Sequence, residues 1–152
     1  RHGGHAMAAG ITIAPDFVEA FRERLNGIAR RTLRPDQLLP VLKLDAEVTL
    51  GDLTVERLGE LDRLAPTGQG NPGLQFCATG LRLHRAPMRM GKEQQHLKLF
   101  VTDGDDVREA VWWNVPKDYV VPPAFDIAFV PEVNEYRDQR NVQLKINDLR
   151  PC

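Results

Sequence analysis

The fold class is decided by residues 97–113, which read LKLFVTDGDDVREAVWW. In the first half, apolar residues recur at every second position from Leu97 to Val101, and the alternation resumes over 107–113. A period of two is typical of a β-strand with one buried face. The polar, glycine-containing run between the halves, Thr102–Asp106, predicts a turn. The stretch therefore predicts two short strands separated by a turn.

The same alternation recurs on both sides of this stretch and predicts five short strands in all. The further apolar runs are Leu81/Leu83, Phe125/Ile127/Phe129 and Val142/Leu144/Ile146. Turn-rich segments separate the strands at Pro87–Lys92, Val115–Pro123 and Asn134–Asn141. Five strands within about 75 residues are typical of a small antiparallel barrel, and an OB-like fold is the natural candidate at this size. Periodicity alone leaves a β-sandwich open as the alternative.

The residues before the barrel predict a partial α/β segment, so the fold class is α+β and mainly β. Apolar residues at helical spacing predict a helix over 15–31. Just before it, Ala8–Ile13 predicts a short buried strand that follows a small-residue loop or turn.

A domain boundary is predicted where prolines bracket a connector. Pro35 and Pro40 are the two prolines, and each interrupts regular structure. Residues 1–36 then form the end of one domain, and residues 37–152 form the barrel domain. A short helix is predicted over 54–64, ahead of the strands.

Composition and charge exclude several classes of protein. The chain has 152 residues, of which 42% are apolar and 27% are charged. These values exclude a disordered chain, a collagen-like repeat and a coiled coil. Lys and Arg number 20 against 21 Asp and Glu, for a net charge of −1, so a nucleic-acid site requires a local excess of basic residues. Cys77 and Cys152 are too few for a disulfide framework, so a reducing cytoplasm is the expected compartment.

One local excess of positive charge lies between Leu81 and Lys98. It sets five basic side chains against the single acid Glu93, an excess of +4. The candidate nucleic-acid-binding residues in it are Arg82, Arg85, Arg89, Lys92, His96 and Lys98. A charge run of this kind is also typical of a plain solvated face, which stays open as the alternative.

Phe100 is the feature that favours binding over a solvated face. Strand alternation places it with His96 and Lys98 on the side opposite the core residues. Barrels of this type hold single strands by stacking bases on aromatic rings and neutralising phosphates. If the strands carrying Arg82 and Lys98 pair, their basic rows become neighbours. The alternative is that the helix over 54–64 covers Phe100.

Two further features extend this predicted surface. Tyr136 and Arg137 lie on the turn-rich segment Asn134–Asn141 and are candidate nucleic-acid-binding residues. Trp112 and Trp113 are adjacent, so they point to opposite faces of a strand. Trp113 is in phase with the apolar residues of its strand and is predicted in the core, which leaves Trp112 outside.

Two glycine-rich segments could contact a phosphate backbone. At Gly3-Gly4-His5, glycines allow close approach of backbone N–H groups, and the histidine can donate a charge-assisted hydrogen bond. A tight turn with a surface histidine is the alternative. The loop Leu64–Gly73 holds three glycines and two prolines, and a rigid connector is the favoured reading there. No spacing typical of a zinc or two-metal site is present, so no metal ligands are predicted.

Together these motifs resemble the RecJ branch of the DHH phosphoesterase family. Gly3–Gly10 is similar to the signature of its DHH-associated domain, and Leu64–Pro72 resembles its L-x-P-F-G-x-G-N-P loop. His96–Leu99 and the segment 134–144 resemble its OB-fold domain. The resemblance covers essentially the whole chain in order. Thr67 departs from it, because the family usually has Phe there, which puts one packing contact in doubt.

The resemblance implies a parent protein that is a single-strand-specific 5′→3′ exonuclease of DNA repair and recombination, with Mn²⁺ or Mg²⁺ as its cofactor. The Asp/His motifs that hold the metals in that family are absent from these residues, and the chain begins at Arg1 inside the glycine–histidine motif. We therefore expect a C-terminal fragment that carries no catalytic residues, binds no cofactor and has no nuclease activity of its own.

The resemblance also implies roles for the two parts. Gly3, Gly4 and His5 would contact substrate phosphate, and the barrel would guide single-stranded DNA. The implied partners are single-stranded DNA, the catalytic domain and single-strand-binding protein. The alternatives are a stand-alone OB-fold single-strand-binding module, or a protein-docking module whose basic face captures an acidic tail.

Overall fold

The computed structural model describes residues 2–5, 7–136 and 139–152, and at Tyr136 it describes the backbone alone. Strands predominate over helices in this part of the chain. None of its helices has the length and apolar character needed to cross a membrane.

The first compact unit, Arg1–Leu42, contains a β-hairpin and a helix. β1 (His2–His5) pairs with β2 (Ala8–Ile11) in antiparallel register. The helix α1 (Val18–Thr32) follows a 3-10 turn at Pro15–Phe17, which confirms the predicted helix. Five apolar side chains of this turn and helix are between 40% and 64% exposed. They are Phe17, Val18, Phe21, Leu25 and Ile28.

The strand predicted over residues 8–13 is confirmed at Ala8–Ile11, but its predicted burial is wrong. All of β2 is exposed, and Gly3, Gly4 and His5 lie in the partner strand rather than in a loop or turn. In the described residues β2 has only β1 as a sheet neighbour, and a two-stranded hairpin buries neither of its faces by itself. A Cβ at Gly4 would lie 2.9 Å from the Ala8 carbonyl oxygen, so the close approach of the two backbones requires glycine there.

The second compact unit, Lys43–Cys152, is built around a closed ring of five strands. These are β4 (Phe76–Leu83), β6 (His96–Thr102), β7 (Val107–Trp112), β8 (Phe125–Tyr136) and β9 (Gln139–Pro151). The strands follow the order β4-β8-β9-β7-β6, and β6 pairs back onto β4. Neighbours are antiparallel except β7 and β9, which are parallel. The five predicted strands are confirmed, and their ring is an OB-like barrel.

Short elements flank the ring. β3 (Ala46–Glu47) pairs in parallel with β4, and β5 (Met88–Met90) pairs with the first residues of β6, whose last residues pair with β4. The helix α2 (Val55–Leu61) continues as a 3-10 turn, which confirms the short helix predicted ahead of the strands. Thr54 caps this helix, because its hydroxyl accepts a hydrogen bond from the backbone N–H of Arg57. The 3-10 turns of the connectors are Pro35–Leu38, Leu50–Asp52 and Asp62–Leu64.

The alternating apolar residues fill the interior of the ring. Leu97, Leu99 and Val101 of β6 are at most 2% exposed. Phe125 and Phe129 of β8 face them and are fully buried. Each such side chain stabilises the fold by about 1.5–3 kcal/mol relative to leaving it exposed. The core face predicted for these two strands is therefore confirmed.

The predicted orientation of the tryptophan pair is wrong. Trp112 packs against the core and meets the Tyr119 ring edge-on at 5.0 Å, whereas Trp113 is 48% exposed. The inner face of β7 carries Ala110 and Trp112, one residue out of phase with the alternation that was used to place Trp113. The alternation pointed to the wrong face because Val111, although apolar and buried, lies on the outer side of the strand.

Hydrogen bonds to the Asp103 carboxylate connect the turn between β6 and β7 with the segment that precedes α2. Its carboxylate accepts hydrogen bonds from the backbone N–H groups of Asp106 (2.9 Å), Asp105 (3.2 Å) and Leu50 (3.0 Å). These donors, above all the N–H of Asp106, stabilise the ionised form and hold the pKa of Asp103 below its usual value.

Replacing Asp103 with Asn is expected to lower the free energy of unfolding by about 1 kcal/mol at neutral pH, since solvent exposure keeps the effect small. Because folding lowers the pKa of this carboxyl group, its stabilisation is complete above the usual pKa and is lost as the pH falls through the lowered value. The difference between wild type and variant should therefore shrink in urea titrations below about pH 4.

Asp105→Asn is the matched control for this test. It lies in the same turn, and its carboxylate accepts no hydrogen bond from the described residues. A difference between Asp103→Asn and wild type that stays constant down to about pH 2 would contradict the role assigned to the charge of Asp103.

Candidate nucleic-acid interface

The strand pairing brings the predicted basic rows onto one outer face of the barrel. Arg82 of β4 lies directly opposite Thr102 of β6, and the backbone N–H of His84 donates to the Phe100 carbonyl oxygen at 2.8 Å. Opposed residues of an antiparallel pair point to the same side, and so do alternate residues of one strand. Arg82 therefore shares its face with Phe100 and Lys98.

A groove of about 850 Å³ crosses this outer face. Residues of three neighbouring strands, β6, β7 and β9, form its floor. They are Lys98, Phe100, Glu109, Val111 and Gln143. Trp113 and Met90 line the groove from the barrel, and the β8–β9 hairpin adds Asn134, Arg140 and Asn141. The groove thus combines aromatic rings, apolar surface and side-chain amides, which suits the faces and edges of nucleobases.

Phe100 is covered by an arginine. The Arg85 guanidinium carbon lies 3.4 Å from the centroid of the Phe100 ring, and the Lys98 ammonium lies 5.7 Å from the same centroid. A guanidinium at this distance is stacked on the ring as a cation–π pair. Arg85 is itself exposed and planar, so it can present a second stacking surface to a base.

Each cation that lines the groove in the described residues has a carboxylate partner. Lys98 pairs with Glu109 at 2.8 Å, Arg108 with Asp106 at 3.3 Å, and Arg140 with Glu135 at 2.8 Å. By contrast, the described residues supply no carboxylate partner for the side chains of Arg82, Arg85 and Lys92. The unpaired positive charge therefore lies on residues that do not line the groove. Two of them, Arg82 and Arg85, share the outer face with Phe100, and we call these two residues the rim.

Arg89, a candidate binding residue in the sequence, makes structural contacts in the described residues. Its guanidinium donates to five backbone carbonyl oxygens of two loops. These belong to Gln94 (3.4 Å), Val115 (3.3 Å), Pro116 (2.8 Å), Lys117 (3.0 Å) and Tyr119 (3.3 Å). A guanidinium that donates to this many carbonyls holds the two loops together, and this role accounts for Arg89 without a phosphate contact.

His96 has a positioning contact at the edge of the groove. Its Nδ1 accepts a hydrogen bond from the backbone N–H of Asn114 at 3.1 Å, and its ring meets the Trp113 ring edge-on at 4.5 Å. The acceptor role of Nδ1 leaves Nε2 to carry the proton of the neutral ring. His96 therefore orients Trp113 beside the groove rather than projecting freely from the strand.

Five of the predicted site residues belong to the other compact unit or lie outside the described residues. Gly3, Gly4 and His5 belong to the first compact unit, and the groove belongs to the second. Arg137 and the side chain of Tyr136 lie outside the described residues.

Sequence reasoning missed several groove residues. Glu109 and Trp113 could have been found from the outward phase of β7, once Trp112 had been placed in the core. Gln143 had no local signal, because it depends on the parallel pairing of β7 with β9. The pairing of Arg140 with Glu135 was not predicted, because it also depends on the pairing of two strands.

The glycine-rich loop after α2 has the geometry of a shaped connector. The Asn71 side-chain amide donates to the carbonyl oxygens of Leu64 and Pro66 at 2.8 and 3.2 Å. Gly68 and Asn71 also exchange both of their backbone hydrogen bonds. These contacts support the connector interpretation over contact with a nucleic-acid backbone.

The described ranges contain no group of three or more His, Cys, Asp or Glu residues placed to hold a metal ion. The donor set therefore does not fit a divalent-metal centre, and no metal-dependent step is assigned to these residues.

Comparison with known proteins places this chain beside one kind of exonuclease. A family model described as the RecJ OB domain matches residues 44–148. The single-stranded-DNA-specific exonuclease RecJ of Bacillus subtilis is 31% identical over 96% of this chain, and that of Dickeya dadantii is 32% identical over 99%. The chain spans only 19% and 26% of the lengths of these two relatives.

Solved structures give the same relationship. Thermus thermophilus RecJ, in crystals with Mn²⁺ and with Mg²⁺, matches all of this chain at 26% identity, with TM-scores of 0.75 and 0.77. The chain covers 22% and 23% of those two structures. A fold match of this quality over the full length agrees with the OB-like barrel described above.

Proposed function

The chain belongs to the RecJ family, and from that premise we propose that it is the C-terminal, single-stranded-DNA-binding part of a RecJ-type 5′→3′ exonuclease of DNA repair and recombination. The observation that carries the proposal is the stack of Arg85 on Phe100 at a groove of about 850 Å³ on the outer barrel face. It joins a positive charge to an aromatic plane, the pair of features that single-strand-binding barrels use.

The distribution of charge supports one orientation of the strand. Bases fit the groove, whose floor has aromatic, apolar and amide groups and whose cations are already paired. Phosphates fit the rim, where Arg82 and Arg85 have no carboxylate partner among the described residues. Such an arrangement binds single strands with little base preference and with strong salt dependence.

The first compact unit has a separate part in the proposal. We propose that residues 1–36 end a substrate-binding domain in which Gly3, Gly4 and His5 contact phosphate next to a catalytic domain. The solved relatives hold Mn²⁺ or Mg²⁺, which supports a divalent metal in the parent enzyme. The parent's partners would include single-strand-binding protein. Both cysteines are free thiols, which is compatible with the cytoplasm as the proposed compartment.

A titration of the 152-residue chain with labelled poly(dT) at several salt concentrations tests the proposal. We expect the logarithm of the binding constant to fall linearly with the logarithm of the salt concentration. Arg82→Ala should weaken binding and reduce the slope by about 0.7, the value for one lost phosphate contact with a single strand. Arg63→Ala, which removes the same charge from the exposed 3-10 turn after α2, should change neither quantity.

Two results would contradict the proposal. One is the absence of binding to poly(dT) at low salt by a chain that melts cooperatively. The other is displacement of poly(dT) by an acidic peptide at the concentration at which unlabelled poly(dT) displaces it, which would favour a protein-docking module.

A further inference from the structure

Glu109 is the one carboxylate that lines the groove in the described residues, and both of its oxygens are engaged. The Lys98 ammonium lies 2.8 Å from Oε2, and the Gln143 amide donates to Oε1 at 2.5 Å. The three residues come from the neighbouring strands β6, β7 and β9, and they meet at the centre of the floor.

This ion pair differs from the exposed pairs of the same barrel. The side chains of Lys98 and Glu109 are 27% and 24% exposed, against 60% and 67% for Arg140 and Glu135. Partly buried charges are screened less by water and salt than exposed ones. A phosphate that enters the groove must therefore compete with a firmly placed carboxylate for the ammonium of Lys98.

A negative charge on the floor of a groove for a polyanion works against affinity. It neutralises the cation beside it and repels the incoming phosphates. Packing of the barrel does not require the charge, because a neutral amide of the same shape can accept and donate hydrogen bonds at the same place. The observed arrangement is thus unfavourable for tight binding, although it leaves the stacking surfaces of Phe100 and Arg85 unaffected.

We propose that Glu109 limits the affinity of the groove by keeping Lys98 out of phosphate contact, so that the strand is held through its bases and the rim and can move along the barrel. This inference rests on the proposed function. Under this inference Lys98 contacts no phosphate while it is paired with Glu109, whereas the sequence predicted a direct contact with nucleic acid. The inference also predicts that removing the carboxylate charge increases binding.

Glu109→Gln tests the inference by removing the charge and keeping the shape. With Lys98 released to contact one phosphate, binding to poly(dT) should tighten about 8-fold at about 50 mM salt and about 3-fold at about 200 mM salt. The salt slope should steepen by about 0.7. The second variant, Glu109→Gln with Lys98→Met, should return the slope to the wild-type value, because the released cation is then gone.

Glu132→Gln is the matched control. It removes one negative charge from an ion pair with Lys145, at 3.6 Å. Glu132 lies opposite Gln143 on the neighbouring strand, but neither member of this pair lines the groove, so no groove cation is released. It should leave the slope unchanged. Thermal melts of all variants establish that each is folded.

The outcomes separate this inference from the proposed function. If wild type binds poly(dT) and Glu109→Gln binds with the same affinity and slope, the inference is wrong and the proposed function stands. A steeper slope that persists in the double variant also overturns it, since the gain would not come from Lys98. If folded wild type does not bind, both are wrong.

Discussion

Arg89→Ala is expected to lower the free energy of unfolding by about 2–4 kcal/mol, because it removes a charged donor from five carbonyl oxygens at once. The acceptors lie on the turn before β6 and on the loop between β7 and β8. The Pro116 carbonyl oxygen also accepts from the backbone N–H of Tyr119 at 3.1 Å, but the contact between the two loops through Arg89 is lost. Val115 between them is buried, and its carbonyl oxygen would be left without this donor in a poorly solvated place.

Chemical unfolding in urea, followed by circular dichroism, measures this loss. Arg89→Lys should recover only a small part of it, since an ammonium cannot reproduce the planar fork that reaches both loops. Arg82→Ala is the matched control on the surface and should change the free energy of unfolding by less than about 0.5 kcal/mol.

In the poly(dT) titration we expect the opposite ranking of these two variants, with the larger effect from Arg82→Ala. Arg82→Ala should flatten the salt slope by about 0.7, and Arg89→Ala should leave it unchanged while the barrel remains folded. An Arg89→Ala variant that unfolds like wild type and flattens the slope would return Arg89 to the interface that the sequence predicted.

The fold could be predicted where the signal is local. Alternation places Leu97, Leu99 and Val101 on one face because each position depends only on its neighbours along the strand. Trp113 shows where this reasoning fails, since Val111 is apolar on the outer side of β7 and shifts the apparent phase. The strand predicted over 8–13 is present, but its burial was wrongly predicted for another reason, because burial depends on what covers a strand.

The site could be predicted only in part. The shared face of Arg82, Lys98 and Phe100 follows from alternation and one strand pairing, and the structure has that pairing. The ion pair of Lys98 with Glu109 depends on the antiparallel pairing of β6 with β7. The hydrogen bond from the Gln143 side-chain amide to Glu109 depends on the parallel pairing of β7 with β9, between residues 34 positions apart. A run of basic residues in the sequence therefore indicates a basic face. The strand pairing decides which of those side chains have a carboxylate partner.

Phe100→Ala is expected to weaken binding to poly(dT) by about 1–3 kcal/mol, or roughly 5- to 150-fold in Kd, through the loss of a stacking surface for one base. The salt slope should stay unchanged, because no phosphate contact is removed. Arg85→Ala should also weaken binding, and it should flatten the slope by about 0.7 since its charge is lost. These two forecasts differ although the two side chains are in contact.

A double variant shows whether Arg85 and Phe100 act as one platform. Because the guanidinium lies 3.4 Å from the ring centroid, removing either group disturbs the other. The combined loss in Phe100→Ala/Arg85→Ala should therefore be smaller than the sum of the two single losses. Additive losses would mean that Arg85 and Phe100 contribute to binding independently, and would contradict a single platform.

Phe100→Leu separates stacking from packing. Phe100 is half-buried, so alanine also leaves a gap beside the strand and could lower the melting temperature by itself. Leucine fills most of that gap but has no aromatic plane for either a base or Arg85. If stacking is the role of Phe100, Phe100→Leu melts close to wild type and binds poly(dT) as weakly as Phe100→Ala does. If packing is its role, Phe100→Leu restores both the melting temperature and the affinity, and the groove must hold its bases elsewhere.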